Sequence, residues 1–329
     1  MARPTLLVTY DAGQPSREII EAAAGPDLRV VYLRDLPAGE RAEAIASADA
    51  VLAMNTAKEF QPAEVDLLAR AKILQFIASG VDFVPMAGLP ESLTIASNGG
   101  AYAEPMAEHG LMMTLAALKR LTVEQDKMKA GTFDQFEPNR MLAGSVCGIV
   151  GFGGIGQATA SLMRAFGAKV HALNRSGRTD EPVDWIGTDA DLGELLEAAD
   201  VVILSLPLTP ASEKLIGRAE LARMKPDAVL VNLARGEIID ETALFEHLKA
   251  NPAFWACIDA WWIEPIRHGR FEMGHDFLGL PNVIASPHNS ASVHGWRKVS
   301  LGRAMDNIRR VVVDGKEPRF LVSKADRMG

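Results

Sequence analysis

Cysteine is scarce in this chain: 329 residues contain two, Cys147 and Cys257. Two cysteines cannot build a disulfide framework, and both fall within apolar, strand-like runs. They are expected as buried free thiols in a reducing cytoplasm. Long apolar runs are missing too. No stretch of ~18 uninterrupted apolar residues occurs, so neither a membrane span nor a membrane partner is expected. The start, Met1 to Tyr10, lacks the apolar core and small-residue cleavage site of a secretion signal. Basic charge is in deficit, with 34 Lys and Arg against 42 Asp and Glu, and it forms no run. That argues against nucleic acid as a partner. If the substrate is an anion, single arginines or backbone amides must supply the positive charge. Hydrophobic residues at 48% and charged residues at 23% are ordinary globular proportions and exclude a disordered chain.

What is present alternates regularly. Short apolar runs at 5–10, 28–33, 50–54, 73–78 and 94–97 read as strands, with helical patterns at 15–24, 38–48 and 62–71 between them. A long helical stretch from about Tyr102 to Met128 follows, apolar over Leu111–Leu121, and reads as a crossover between domains. A second series gives strands at 146–150, 169–173, 201–206, 228–233, 255–260 and 282–286. Its helices lie near 154–166, 192–199, 218–224, 241–250 and 291–313. Continuous apolar strands separated by amphipathic helices predict an α/β fold with doubly wound parallel sheets in two domains.

The first chemical signal is Gly151-Phe152-Gly153-Gly154-Ile155-Gly156, a G-x-G-x-x-G pattern between a strand and a helix. Gly151 would permit the tight turn, Gly153 would let the backbone approach a pyrophosphate, and Gly156 would allow close packing of helix on strand. Gly154 and Ile155 lie in the first helical turn, whose free N–H groups suit phosphate. The next strand ends in Asn174-Arg175-Ser176-Gly177-Arg178, and no carboxylate occurs between Gly156 and Asp180. An acidic residue for the ribose hydroxyls is therefore absent where it is expected. Arg175 and Arg178, with Ser176, suit a 2′-phosphate by charge and fork geometry, which favours NADP(H) over NAD(H). The competing reading is a solvated basic loop, with the adenosine held through Asn174 and main chain.

Three later segments place polar residues just past strand ends: Arg235 in Ala234-Arg235-Gly236, Asp259 and Glu264 in Asp259-Ala260-Trp261-Trp262-Ile263-Glu264-Pro265, and His288 in Pro287-His288-Asn289-Ser290. Carboxyl ends of strands are where an open α/β sheet has its ligand crevice. With Ala78-Ser79-Gly80-Val81-Asp82, Asn98-Gly99-Gly100 into Ala107-Glu108-His109, and Ser205-Leu206-Pro207-Leu208-Thr209, the chain resembles the D-2-hydroxyacid dehydrogenase family over nearly its whole length. That family includes glyoxylate/hydroxypyruvate reductases.

The resemblance implies an NAD(P)-dependent reductase of small 2-oxo acids with Arg235, Glu264 and His288 as catalytic residues. His288 would donate the proton, Glu264 would support its imidazolium, and Arg235 would hold the substrate carboxylate. Ser79, Gly80 and Val81 would bind the substrate with Arg235 and His288. Leu206, Pro207, Thr209, Leu233, Ala234, Asp259, His288 and Ser290 would line the cofactor site, Asp259 accepting from the nicotinamide amide. The expected division is a flavodoxin-like substrate domain over 1–99 and 288–329 and a Rossmann domain over 100–287, with a homodimer through the latter. A nucleotide-sensing interaction protein on the same fold is the competing function.

His109 reads as a structural residue of the long helix. His268 and His275 lack zinc-site spacing, and no metal is expected. Departures from the family pattern surround the site, Trp261-Trp262 in place of a usual small or single aromatic pair among them. Ile266–Phe277 looks like an insertion, and the family's H-x-G-G-x-T reads His288-Asn289-Ser290-Ala291-Ser292, without its glycines.

Overall fold

In the computed structural model, which describes residues 3–82, 84–86 and 88–323, the apolar runs become central strands of two parallel sheets. Met1–Tyr102 with His294–Gly329 forms one compact unit and Ala103–Val293 the other. The boundaries fall at 102/103 and 293/294, against the expected 99/100 and 287/288. His288 therefore belongs to the same unit as Arg235 and Glu264.

The first unit contains β1 (Thr5–Val8), α1 (Gln14–Ala24), β2 (Arg29–Tyr32), α2 (Arg41–Ser47), β3 (Ala50–Ala53), α3 (Thr56–Glu59), β4 (Ile73–Phe76) and β5 (Ile95–Ala96). Its sheet runs β2-β1-β3-β4-β5, all parallel. β3 and β4 are buried on both faces, which is why their sequences are continuous apolar runs instead of alternating ones. The segment Pro62–Arg70, within the helix expected at 62–71, is a 3₁₀ helix.

The second unit opens with α4 (Ala103–Leu118) and α5 (Leu121–Lys129). The single helix expected over 102–128 is thus broken. Arg120 adopts a left-handed φ of 52°, and the Leu118 carbonyl accepts from the Arg140 N–H at 3.0 Å. The break coincides with the end of burial, because α4 is largely buried and no residue of α5 is. Nor is α4 merely a crossover, since it packs against the other helices and strands of its own unit. Then follow β6 (Val146–Val150), α6 (Gly154–Ala165), β7 (Lys169–Leu173), β8 (Trp185–Gly187), α7 (Leu192–Ala198), β9 (Val201–Leu204), α8 (Arg218–Arg223), β10 (Val229–Asn232), α9 (Glu241–Ala250), β11 (Trp255–Ile258), α10 (Pro265–His268) and β12 (Val283–Ala285). The chain returns to the first unit in α11 (Trp296–Val312), several residues shorter at its start than the pattern at 291–313 predicts.

The order of the second sheet is β12-β11-β10-β9-β6-β7-β8, all parallel. The chain leaves β6 toward β7 and β8, then crosses back to β9 on the other side. That reversal makes a switch point between β6 and β9, and it opens the ligand crevice at the carboxyl ends of those strands. Cys147 and Cys257 lie in β6 and β11 as buried free thiols, and burial pushes the Cys147 thiol up to about 12.

Candidate active site

The glycine turn sits at the switch point and each glycine has a distinct steric reason. Gly151 has φ +97°, and a Cβ there would lie 2.7 Å from the Leu206 nitrogen. At Gly156 a Cβ would lie 2.4 Å from the Gly151 carbonyl oxygen. Gly153 is different: it precedes α6, no side chain caps that helix, and a Cβ would meet nothing within 4 Å. The space above Gly153 is the cradle a backbone-bound pyrophosphate needs, next to the uncapped first turn that holds Gly154 and Ile155. Ser205, at the end of β9, donates to the Gly151 carbonyl at 2.9 Å and pins the turn across the switch point.

Beyond β7 the basic loop is organised by Asn174. Its Oδ1 accepts from the Ser176 N–H and hydroxyl, both at 3.0 Å, and its Nδ2 donates to the Arg178 carbonyl at 2.8 Å. The Asn174 N–H in turn donates to Gly187 of β8 at 3.2 Å. Asn174 and Ser176 therefore shape the loop, and Arg175 and Arg178 are exposed on it. On the opposite rim, Ser212 donates to the Pro207 carbonyl and accepts from the Thr209 N–H, both at 2.8 Å. This buried serine holds the turn that carries Leu206, Pro207 and Thr209.

Arg235 follows β10 in a turn set by Asn232. The buried Asn232 side chain accepts from the Ala234 N–H at 3.0 Å and donates to the Arg235 carbonyl at 2.8 Å. Gly236 lets this turn press against the next one, because a Cβ there would lie 2.3 Å from the Trp261 carbonyl carbon. The Arg235 guanidinium donates to the Ala234 carbonyl at 2.7 Å.

Glu264 and His288 form the centre of the constellation. His288 Nδ1 lies 2.8 Å from each Glu264 oxygen, and Glu264 Oε1 also accepts from the Trp261 N–H at 2.7 Å. Burial is the largest influence on the Glu264 carboxyl and opposes its ionisation. The His288 hydrogen bond and charge, the Trp261 N–H and the Arg235 charge together outweigh it and hold the group below its ordinary range. His288 itself has φ 50°, an uncommon backbone for a residue other than glycine. With Nδ1 given to Glu264, Nε2 is the ring nitrogen left for proton exchange.

Asp259 is fully buried just past β11. Its Oδ1 accepts from the Ser286 hydroxyl at 2.5 Å and from the Asn289 N–H at 3.2 Å. Its Oδ2 is buried with no hydrogen-bond partner among the described residues, and so is the Ser290 hydroxyl. Buried polar atoms are nearly always satisfied, so two orphans here mark where a bound group would complete the network. An amide donor suits Oδ2, and the glycine cradle suits a pyrophosphate. The residues present thus fit a nicotinamide dinucleotide.

The structure brings Arg235, Glu264, His288, Asp259 and Ser290 together at one end of the second sheet. Leu233 and Ala234 lie beside them, and the glycine turn lies at the same strand ends. Ser79, Gly80 and Val81 lie past β4 in the first unit, where the Ser79 hydroxyl donates to the Asn98 carbonyl at 2.7 Å. The 266–277 segment continues the one-turn α10 that starts at Pro265 and buries Phe277 against Trp262, stacked at 5.3 Å between ring centroids. The roles of Ser205, Ser212 and Asn232 escape a sequence reading because they act through backbone contacts; for Ser205 and Asn232 the one signal is a polar residue at or just beyond an apolar strand, and Ser212, within a loop, has none.

Three comparisons bear on this site. Residues 111–290 match the family model described as D-isomer specific 2-hydroxyacid dehydrogenase, NAD binding domain. The chain is 32% identical to a hydroxypyruvate reductase from Thermotoga maritima over 233 residues, covering 69% of this chain and 74% of that protein. It is 28% identical to a glyoxylate reductase from Thermococcus gammatolerans over 302 residues, 88% of this chain and 87% of that one. The crystal structure of a glycerate dehydrogenase related protein from Thermoplasma acidophilum matches with a TM-score of 0.66 and 29% identity, covering 93% and 99% of the two chains.

Proposed function

This chain belongs to the D-isomer specific 2-hydroxyacid dehydrogenase family, and from that premise we propose that it reduces a small 2-oxo acid of the glyoxylate or hydroxypyruvate type to the D-2-hydroxy acid. The observation that carries the reading is the His288–Glu264 pair, with Nδ1 at 2.8 Å from both carboxylate oxygens and the Arg235 charge acting on the same carboxylate.

Gly151, Gly153, Gly154, Ile155 and Gly156 would hold the pyrophosphate, and Asp259 with Ser290 would hold the nicotinamide end. Leu206, Pro207, Thr209, Leu233 and Ala234 would line the space between. Bound there, the dinucleotide supplies a hydride to C2 of the substrate. His288 Nε2 gives a proton to the carbonyl oxygen, and Glu264 stabilises the imidazolium that precedes the transfer. Arg235 would bind the substrate carboxylate by charge-assisted hydrogen bonds. In the oxidative direction His288 accepts the proton.

Arg175 and Arg178 favour NADP(H), because no carboxylate stands at the end of β7 to accept from a free 2′-hydroxyl. The buried free thiols agree with a cytoplasmic setting, and no helix among the described residues is long and apolar enough to cross a membrane. Leu121, Met128, Phe133, Phe136 and Met141 are exposed along one segment of the second unit, which supports a homodimer through that unit.

The test is loss of the reduced-nicotinamide absorbance with glyoxylate, hydroxypyruvate and pyruvate, each with NADPH and NADH. Turnover of one of these acids with NADPH ahead of NADH is the expected result. Tight dinucleotide binding without turnover of any of them would favour the nucleotide-sensing alternative.

A further inference from the structure

A hydrogen-bonded chain behind the Asp259 carboxylate has no part in the reaction just described. It starts at His109 on α4, whose side chain is 17% exposed. His109 Nε2 lies 3.0 Å from the Ser286 hydroxyl, and that hydroxyl lies 2.5 Å from Asp259 Oδ1. The Asn289 N–H reaches the same oxygen at 3.2 Å, and His109 Nε2 is 3.7 Å from it. We infer that His109 is a positioning residue, which fixes the Asp259 carboxylate through Ser286 and leaves Oδ2 as the acceptor offered to a ligand amide.

The argument is one of proton counting. A serine hydroxyl has one proton to give and lone pairs to accept with. At 2.5 Å from a carboxylate oxygen that proton goes to Asp259 Oδ1. The oxygen of Ser286 then accepts, and the His109 nitrogen facing it must carry a proton, which makes His109 the Nε2–H tautomer. Oδ1 is thereby engaged by Ser286 and by the Asn289 N–H. Its partner Oδ2 is buried and has no donor among the described residues. Ser286 and Asn289 also flank His288 in sequence, so the same chain ties Asp259 to the segment that carries the proton donor.

This inference rests on the nicotinamide reading of the site, and the experiment separates the two. Dissociation constants would be measured for NADPH and NADH, and for their nicotinamide-free fragments, 2′-phospho-ADP-ribose and ADP-ribose. His109→Leu should weaken the preferred dinucleotide about tenfold, equivalent to roughly 1.4 kcal/mol, while its fragment binds as to the parent. His109→Gln, whose side-chain amide can place an N–H near the position of Nε2, should restore affinity to within about threefold. Equal weakening of dinucleotide and fragment, or no weakening of either, overturns the inference and leaves the cofactor reading intact. A parent that binds the fragment but gains nothing from the nicotinamide overturns both. Independently of any ligand, ¹⁵N spectra of the His109 ring in the free protein should show the Nε2–H tautomer, and the Nδ1–H tautomer would overturn the inference alone.

Discussion

Nδ1 of His288 lies at the same 2.8 Å distance from both oxygens of Glu264, so the ring is held at the middle of the carboxylate fork. A symmetric contact of this kind fixes the ring's direction. Trp261 holds the fork in turn, through its backbone N–H at 2.7 Å.

Glu264→Gln should keep the side chain's shape and its bond from Trp261 while losing the charge that supports the imidazolium. A fall in kcat of about 10²–10⁴, the usual range for general acid–base catalysis, is expected, with dinucleotide affinity near the parent's. His288→Ala should fall in the same range. Steady-state kinetics with parallel binding titrations check this. A large loss of cofactor affinity with kcat preserved would reassign the pair.

The same pair sets a pH dependence. Glu264 in the folded chain is held below its ordinary range, burial opposing and His288, Trp261 and Arg235 outweighing it. A depressed carboxyl stabilises the fold above its unfolded pKa and loses that contribution as pH falls through the folded value. Thermal melts from neutral to acidic pH should show the parent losing stability in that acidic window more steeply than Glu264→Gln. Parallel profiles for the two would remove Glu264 from the linkage.

Gly153 and Gly156 should respond in opposite ways to alanine. Gly156→Ala places a methyl 2.4 Å from the Gly151 carbonyl, and destabilisation of about 1–3 kcal/mol is expected in chemical denaturation. Gly153→Ala meets no protein atom within 4 Å. It should melt like the parent and yet bind the dinucleotide poorly, since its methyl fills the pyrophosphate cradle. Normal affinity in Gly153→Ala would move the phosphates elsewhere.

For cofactor choice, Arg175→Ala should weaken NADPH by about tenfold and leave NADH nearly unchanged. Asn174→Asp keeps an oxygen for the Ser176 donors but loses the amide donor to Arg178, so it should shift preference toward NADH at some cost in loop order. The ratio of kcat/KM with the two cofactors measures both. A parent that prefers NADH, or an Arg175 variant with the parental ratio, counts against a 2′-phosphate site on this loop.

Local chemistry was legible in the residues themselves. β7 and α9 fall at the bounds their apolar periods predict, and the glycine spacing requires a tight turn into a helix wherever the chain goes afterwards. Three residues at a sheet edge were too short a signal for β8, and the apolar period through 102–128 concealed the left-handed break at Arg120. Folding alone decided which polar groups meet. Periodicity and turn preferences act over a few residues, as in the bonds from Asn232 to the Arg235 turn, whereas those from Glu264 to His288 and from His109 through Ser286 to Asp259 depend on how parallel strands and α4 pack. The types of these side chains are written in the sequence, and the sheet order brings their atoms within hydrogen-bonding distance.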